Sequence, residues 1–165
     1  FLSLEFLRGF LQTGGINEES GWRGFALPRL QARYPVIVSV VIVWFFWAAW
    51  HLPYDFGRGI PLNNILENRI LWNLVFAILL SWVYNRTNGS ILAPALLHPL
   101  MNTFGNNLGA GALSGPIFIL LALFAIVYDK MWKKLSADHP AVHSPATLEK
   151  GQEATTADEV VMVRA

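Results

Sequence analysis

Stretches without charged residues alternate with polar stretches along this chain. Three of the uncharged stretches are long enough to be candidates for membrane-embedded helices. No Asp, Glu, Lys or Arg occurs over residues 34–54, 70–85 and 87–128. A helix that crosses the hydrocarbon core of a bilayer needs about 20 mostly apolar residues. The first stretch meets that length, and aromatic side chains at the ends of the second extend it into the lipid headgroup region. The pattern therefore predicts two transmembrane helices, over 34–54 and 70–85.

The third stretch contains more than one helix. Its middle, NTFGNNLGAGALSG, is polar and rich in glycine, a composition that interrupts helices. We expect one helix over about residues 90–104 and another over about 114–132. Together the segments predict an all-α fold, a multi-spanning transmembrane helical bundle.

The two ends of the chain differ from its middle. Residues 1–34 mix apolar and charged positions, which indicates a partly embedded or interfacial segment. The chain opens on Phe1 in the middle of an apolar pattern, so we expect further helices upstream of it. Residues 136–165 are polar and predict a disordered tail. The predicted organisation is one membrane core over 1–135, followed by that tail.

Composition and charge support the membrane interpretation. The chain is 54% hydrophobic and 14% charged, with a mean hydropathy of +0.41. Soluble domains are about 25% charged, so we expect the lipid bilayer to be a partner of this chain. The absence of cysteine excludes disulfide scaffolds, thiolate metal sites and cysteine nucleophiles. Because the charged residues avoid the middle of the chain, we expect no nucleic-acid partner.

Basic residues are unevenly distributed between the two sides of the predicted bundle. Lys and Arg accumulate in cytoplasmic loops, so the richer side predicts a cytoplasmic C-terminus. That side carries Arg29, Arg33, Arg86, Lys130, Lys133 and Lys134, and the other carries Arg58 and Arg69.

Ionisable side chains are costly to place inside a membrane and often mark functional sites. In EESGWRG, Glu19 and Arg23 are four residues apart, so on a helix they share one face and can neutralise each other. Glu18 has no cation at the corresponding position, and a poorly hydrated carboxylate is suited to act as a general base. The alternative is a solvated helix start, where acidic residues interact with the helix dipole.

Two histidines lie within or at the end of apolar segments. His51 lies near the end of the strongest predicted span, 34–54, and Pro53 predicts that the helix ends there. An interfacial histidine in an aromatic belt is the alternative for His51. His98 and Asn102 are four residues apart, so a helix turns both to one face, away from lipid. A histidine that only joins helices by a hydrogen bond is the alternative for His98.

Helical register brings these residues to similar depths. If the chain reverses near Pro35, Glu18 lies 17 residues before the turn and His51 lies 16 residues after it. His98 follows Arg86 by 12 residues, which is about 18 Å of helical rise against about 24 Å for His51. Helix tilt closes such a gap. The sequence therefore predicts a polar pocket within the membrane that binds or activates a water molecule.

Three motifs carry a resemblance to a known family. EExxxR occupies residues 18–23, an aromatic residue precedes His51 by four positions, and HxxxN occupies residues 98–102. In this order on separate helices, the motifs resemble the CPBP family of intramembrane proteases, which includes the type II CAAX prenyl endopeptidases and the prokaryotic Abi proteins. The resemblance covers about residues 16–128. One position departs from the family pattern, because Trp47 stands where the family has Phe.

The resemblance implies a role for each motif residue. Glu18 would activate the attacking water, and His51 and His98 would bind a metal ion or polarise that water. Asn102 would stabilise the oxyanion of the tetrahedral intermediate. A divalent metal such as zinc on Glu18, His51 and His98 is one implied mechanism, and a metal-independent glutamate mechanism is the other. The implied site is Glu18, Glu19, Arg23, His51, His98 and Asn102, with Glu19 and Arg23 holding it together.

We therefore expect an intramembrane metalloendopeptidase, a hydrolase that cleaves a peptide or membrane-protein substrate. The resemblance places it in a prokaryotic cytoplasmic membrane. The main alternative is a non-catalytic membrane protein that binds a partner in the same pocket, in bacteriocin immunity or as a scaffold. A third hypothesis is an ion or proton pathway, since buried Glu and His also form relays.

Overall fold

The computed structural model describes residues 2–107 and 111–143, and this part of the chain is all-helical, as predicted. Its helices run in chain order with short connections. They are α1 (Leu2–Leu11), α2 (16–31), α3 (Val36–Gly57), α4 (Leu62–Arg86), α5 (Leu92–Asn107) and α6 (Gly111–Tyr128).

Two of these helices contain a π-helical turn. In α2, the turn Trp22–Ala26 separates the α-helical parts Ile16–Gly21 and Leu27–Gln31. In α4, the turn Glu67–Trp72 separates Leu62–Leu66 from Asn73–Arg86. Such turns shift the direction of the side chains that follow and occur frequently at functional sites.

Helices α3 and α4 are long and apolar enough to cross a membrane, and α6 contributes a shorter apolar helix, Gly115–Tyr128. Large apolar side chains lie on the outside of the bundle, among them Phe45, Phe46 and Leu120. Extended apolar surface of this kind is typical of a membrane contact. The helices predicted over 34–54 and 70–85 correspond to α3 and α4, although α4 begins well before residue 70.

Helix α3 continues past Pro53, so the prediction that it ends there is wrong. Pro53 lies inside the helix, which ends at Gly57. Proline cannot donate a backbone hydrogen bond to the preceding turn. However, Asp55 in the last turn is buried and forms an ion pair with Arg69 of α4. This tertiary contact compensates for the proline and places His51 inside the helix.

Helix α4 lies at the centre of the bundle and packs against α3, α5 and α6. Ala77, Leu80 and Ser81 on this helix are fully buried. Helix α1 packs against α5 at Gly9, where an added Cβ would lie 2.7 Å from the Cβ of Pro99. Only glycine permits so close an approach. Helix α2 packs against both α3 and α5, so the EExxxR motif faces the helices that carry the histidines.

The chain returns after α6 to the ends of the earlier helices, in a segment that we call the C-terminal strap (residues 131–143). The first N–H groups of a helix have no acceptor within the helix. At the start of α3, Val36 donates to the carbonyl of Lys133 at 3.1 Å, and Ile37 donates to that of Met131 at 2.8 Å. The strap therefore caps the helix that carries His51.

The strap also joins the ends of α2 and α4. The Gln31 side chain donates to the carbonyl of Ala141 at 2.9 Å and exchanges hydrogen bonds of 3.1 and 2.8 Å with Asn85. The N–H of His143 donates to the carbonyl of Pro28 at 3.1 Å. Ala141 is fully buried. Thus the part of the predicted tail that is described packs on the helices, while the rest of it lies outside the described residues.

Arg69, one of the two basic residues assigned to the side opposite the C-terminus, is part of α4 and forms an ion pair. It therefore does not act as a free loop charge. The sidedness of the bundle stays a prediction.

Candidate active site

The helices surround a cavity of about 750 Å³. Its wall contains four of the six motif residues, Glu18, His51, His98 and Asn102. These four residues are far apart in the sequence. The lining includes Thr13, Glu18, Trp47, His51, Tyr54, Glu67, Asn68, Arg69, Trp72, Asn73, Phe76, His98, Met101, Asn102, Gly115 and Phe118. The predicted convergence of carboxylate, imidazoles and carboxamide is therefore present in the structure.

Glu19 and Arg23 lie behind this wall and are fully buried. Arg23 Nη1 donates to Glu19 Oε1 at 2.9 Å, and both side chains are 0% exposed. Glu19 Oε1 also lies 2.8 Å from Nδ1 of His98. An ionised carboxylate only accepts hydrogen bonds, so Nδ1 of His98 carries the hydrogen. Glu19 therefore fixes the ring orientation of His98, and Arg23 compensates the charge of Glu19.

Glu18 points in a different direction from Glu19 and faces the cavity. The indole N–H of Trp47 donates to Glu18 Oε2 at 2.7 Å, which links α2 directly to α3. The distance is in the range of charge-assisted hydrogen bonds. A phenylalanine at position 47, the residue typical of the family pattern, has no such donor. One oxygen of Glu18 is thus held in place, while the carboxylate remains beside the cavity.

Trp47 is the aromatic centre of the site. Its ring meets those of His51 and His98 edge-on, with centroids 5.7 and 5.4 Å apart. The guanidinium carbon of Arg23 lies 5.0 Å from the ring centroid, a cation–π distance. Trp47 is 2% exposed. Its packing therefore sets the relative positions of both histidines and of Glu18.

The two histidines have matching hydrogen-bond arrangements. His51 Nδ1 lies 2.8 Å from the carbonyl of Trp47, so it carries the hydrogen, as Nδ1 of His98 does. In the neutral ring the other nitrogen, Nε2, is then an acceptor. A Cβ added to Gly14 would lie 3.1 Å from His98 Nε2, so the α1–α2 connection approaches that atom closely. Each histidine can accept a hydrogen bond from a water or a substrate.

The three predicted metal ligands, Glu18, His51 and His98, line the same cavity. Among the described residues, no three His, Asp or Glu side chains are grouped so that they could hold a metal ion. Nδ1 of both histidines and Oε2 of Glu18 bond to protein partners, so Nε2 is the nitrogen of each ring that could bind a metal. A divalent cofactor such as zinc stays a prediction.

A polar group outside the three sequence motifs also borders the cavity, through Arg69 and Asn73. Asp55 binds Arg69 through both carboxylate oxygens, at 2.6 and 2.7 Å, and Arg69 Nη1 lies 3.4 Å from Oδ1 of Asn73. The signal was present, because Asn73 interrupts the apolar run ILWNLVF. It could not be interpreted from spacing, since the ion pair joins two different helices.

Comparison with known proteins places this geometry in a family. Residues 3–104 match the family model described as "Type II CAAX prenyl endopeptidase Rce1-like". This match covers more than half of the chain and includes all six motif residues. The chain belongs to this family. The predicted resemblance to the CAAX branch of CPBP proteases, a family of hydrolases, is thereby confirmed.

A curated relative carries a related name. The chain is 28% identical over 124 residues to "CAAX prenyl protease 2" of Methanococcus maripaludis, a match that covers 68% of this chain and 46% of the relative. The chain thus spans about half the length of that protein. No solved structure matches the chain significantly.

Proposed function

We propose that this member of the Rce1-like family is an endopeptidase that hydrolyses a peptide bond of a membrane-associated substrate within its helical bundle. The observation that carries the proposal is the Glu18 carboxylate, held by the Trp47 N–H in a cavity wall that also contains His51, His98 and Asn102. These are the groups that activation of a water molecule requires.

Glu18 is the general base in this mechanism. Its carboxylate takes a proton from a water molecule while the water oxygen attacks the scissile carbonyl carbon. An Nε2 atom of His51 or His98 accepts a hydrogen bond from the second hydrogen of that water. The tetrahedral intermediate carries a negative oxygen, to which the amide group of Asn102 donates. Glu18 then transfers its proton to the leaving amine as the carbon–nitrogen bond breaks.

Glu19 and Arg23 act indirectly. The bond between Glu19 and His98 Nδ1 keeps the hydrogen on that nitrogen and the acceptor on the cavity side. A fixed orientation matters because catalysis depends on reacting groups that are already aligned. These two residues are therefore positioning residues.

The substrate in this proposal is a lipid-modified peptide of the CAAX kind, which the names of the family and of the relative describe. The cavity supports this class, because it combines the polar groups with apolar walls from Tyr54, Phe76, Met101 and Phe118. Such walls suit aliphatic side chains or a prenyl group.

The test compares wild-type protein with Glu18→Gln in full-length protein purified in detergent. The probe is an internally quenched peptide ending in S-farnesylcysteine, two aliphatic residues and a final residue. Glu18→Gln removes the base but keeps the shape, so we expect turnover to fall at least 10³-fold without loss of folded protein. Asp138→Asn, which neutralises an exposed carboxylate, should cleave as the wild type does.

Retained turnover in Glu18→Gln would overturn the mechanism. A wild type that binds the probe without cleaving it would favour the non-catalytic alternative. N-terminal peptide mapping of membranes that contain either protein would extend the test to natural substrates, because cleavage creates new termini only where Glu18 is intact.

A further inference from the structure

The wall of the cavity contributed by α4 contains a hydrogen-bond donor that the mechanism does not use. Asn73 is 7% exposed, and its Nδ2 has no partner within the described chain. Asn73 lines the same cavity as Glu18 and His51. A buried donor without an acceptor is costly, and each such group in a native protein calls for an explanation. An acceptor on a ligand in the cavity supplies one.

The orientation of this amide is determined by its neighbours. Arg69 can only donate hydrogen bonds, so the Asn73 group that faces its Nη1 at 3.4 Å must be the oxygen. Arg69 is in turn held by both oxygens of Asp55, which is 1% exposed. Trp44 Nε1 donates to the backbone carbonyl of Arg69 at 2.8 Å. The oxygen of Asn73 therefore faces Arg69, and Nδ2 is the end of the amide without a partner among the described residues.

The position of this donor relative to the catalytic groups suits a substrate contact. Asp55, which anchors Arg69, follows His51 by four residues on α3, about 6 Å of helical rise. An extended peptide advances about 3.3 Å per residue. Glu18 and Asn73 line the same cavity, so a peptide bound with its scissile bond at Glu18 occupies the space that Asn73 also borders.

The charges around Asn73 favour a neutral acceptor over a carboxylate. The cation of Arg69 is compensated by Asp55, and Glu67 and Glu18 add negative charge to the cavity wall. No excess positive charge remains among these groups. A backbone carbonyl oxygen needs only a donor, whereas a free carboxylate would be repelled.

We propose that Asn73 Nδ2 donates a hydrogen bond to a backbone carbonyl oxygen of the bound substrate, next to the scissile bond. Asn73 is thus a substrate-binding residue outside the three motifs. The inference rests on the proposed function and specifies how the same cavity holds its peptide.

The experiment measures KM and kcat for wild type, Asn73→Leu and Asn73→Ala with the quenched farnesyl peptide. Loss of one neutral hydrogen bond should raise KM roughly threefold to tenfold and change kcat less. Two analogues of the peptide carry an ester in place of one amide between the last three residues, because an ester carbonyl is a weaker acceptor. For one of these analogues, wild type and Asn73→Leu should have the same KM.

Unchanged KM in both variants, or the same ratio of KM values with every analogue, would overturn the inference while leaving the proposed function intact. The terminal carboxylate of the peptide is the other group that could accept the hydrogen bond, and a peptide with a C-terminal amide lacks it. If the effect of Asn73→Leu vanished with that peptide alone, the acceptor would be the terminal carboxylate and the inference would be wrong. Absence of cleavage by wild type would overturn the proposed function and the inference with it.

Thermal unfolding distinguishes binding from a structural role. Leucine is close to asparagine in size, and its introduction removes an unpaired buried donor. We expect the unfolding temperature of Asn73→Leu to equal or exceed that of wild type. A clear decrease together with a loss of kcat would identify Asn73 as a structural residue and contradict the inference.

Discussion

The buried Glu19–Arg23 pair should make the fold sensitive to loss of either partner alone. Both side chains are fully buried, and Nε and Nη2 of Arg23 have no partner among the described residues. The compensation of the Arg23 charge therefore depends on Glu19. Replacing Glu19 by Leu leaves an uncompensated cation in the core, and replacing Arg23 by Leu leaves a carboxylate there. Replacing both leaves two apolar side chains.

The expected loss of stability follows from the burial of both charges. Removing one partner of a buried ion pair costs about 3–5 kcal/mol, whereas replacing both with apolar residues is often close to neutral. In a chain of this size, 1 kcal/mol shifts the unfolding temperature by roughly 2–4 °C. We therefore expect each single variant to unfold roughly 6–20 °C below wild type. Glu19→Leu should show the larger decrease, because it also removes the acceptor of His98 Nδ1.

Tryptophan fluorescence is the suitable measurement, because the chain has 7 Trp and no Cys for thiol-reactive dyes. Unfolding curves in detergent would be recorded for the two single variants, the double variant and Arg33→Leu. The last removes an exposed cation just after α2 and should unfold as wild type does. The double variant should unfold well above either single variant. If the decreases of the single variants simply added in the double variant, the two charges would not compensate each other and the reasoning would fail.

Two further predictions concern the surroundings of His98 and the strap. Gly14→Ala places a Cβ 3.1 Å from His98 Nε2, so turnover of the farnesyl peptide should fall roughly tenfold. Gly21→Ala is the control, because a Cβ added there meets no atom within 4 Å. Equal turnover rates in the two variants would contradict the assigned position of His98. Burial, and then the nearby charge of Arg29, lower the pKa of His143 from 6.5, so the unfolded chain binds a proton more readily than the docked strap. Docking should be strongest above pH 6.5 and weaken as the pH falls through the lower folded-state pKa. Hydrogen exchange of residues 139–143, corrected for intrinsic rates, should therefore accelerate on acidification in wild type and much less in His143→Gln. Identical pH profiles in the two proteins would refute the role of His143 in docking.

The helices were predictable because charge-free length is a direct property of the sequence. The runs over 34–54 and 70–85 identify α3 and α4, and helical register predicts that Glu18 and His51 lie at one depth. The family match confirms the resemblance that the motifs indicated. Their chemical roles remain proposals.

Tertiary contacts account for what could not be predicted. Pro53 predicts a helix end from local geometry, but the Asp55–Arg69 ion pair extends α3 beyond it. The same ion pair orients Asn73, which no spacing rule connects with a residue on α3. The polar composition of residues 136–143 suggests disorder, yet Gln31 and the carbonyl of Ala141 hold that segment against the bundle. In each case, the determining partner lies on another element.

The cap that the strap provides to α3 sets an order of events during synthesis. Val36 and Ile37 leave the ribosome long before Met131 and Lys133, whose carbonyls accept their hydrogen bonds. Until then water must satisfy those N–H groups, which keeps that end of α3 hydrated. The helix that carries Trp47 and His51 therefore reaches its final hydrogen bonding only after α6 has been made. That end of α3 is in this sense completed by a segment made after α6, so a chain terminated directly after α6 would lack both hydrogen bonds at the start of α3.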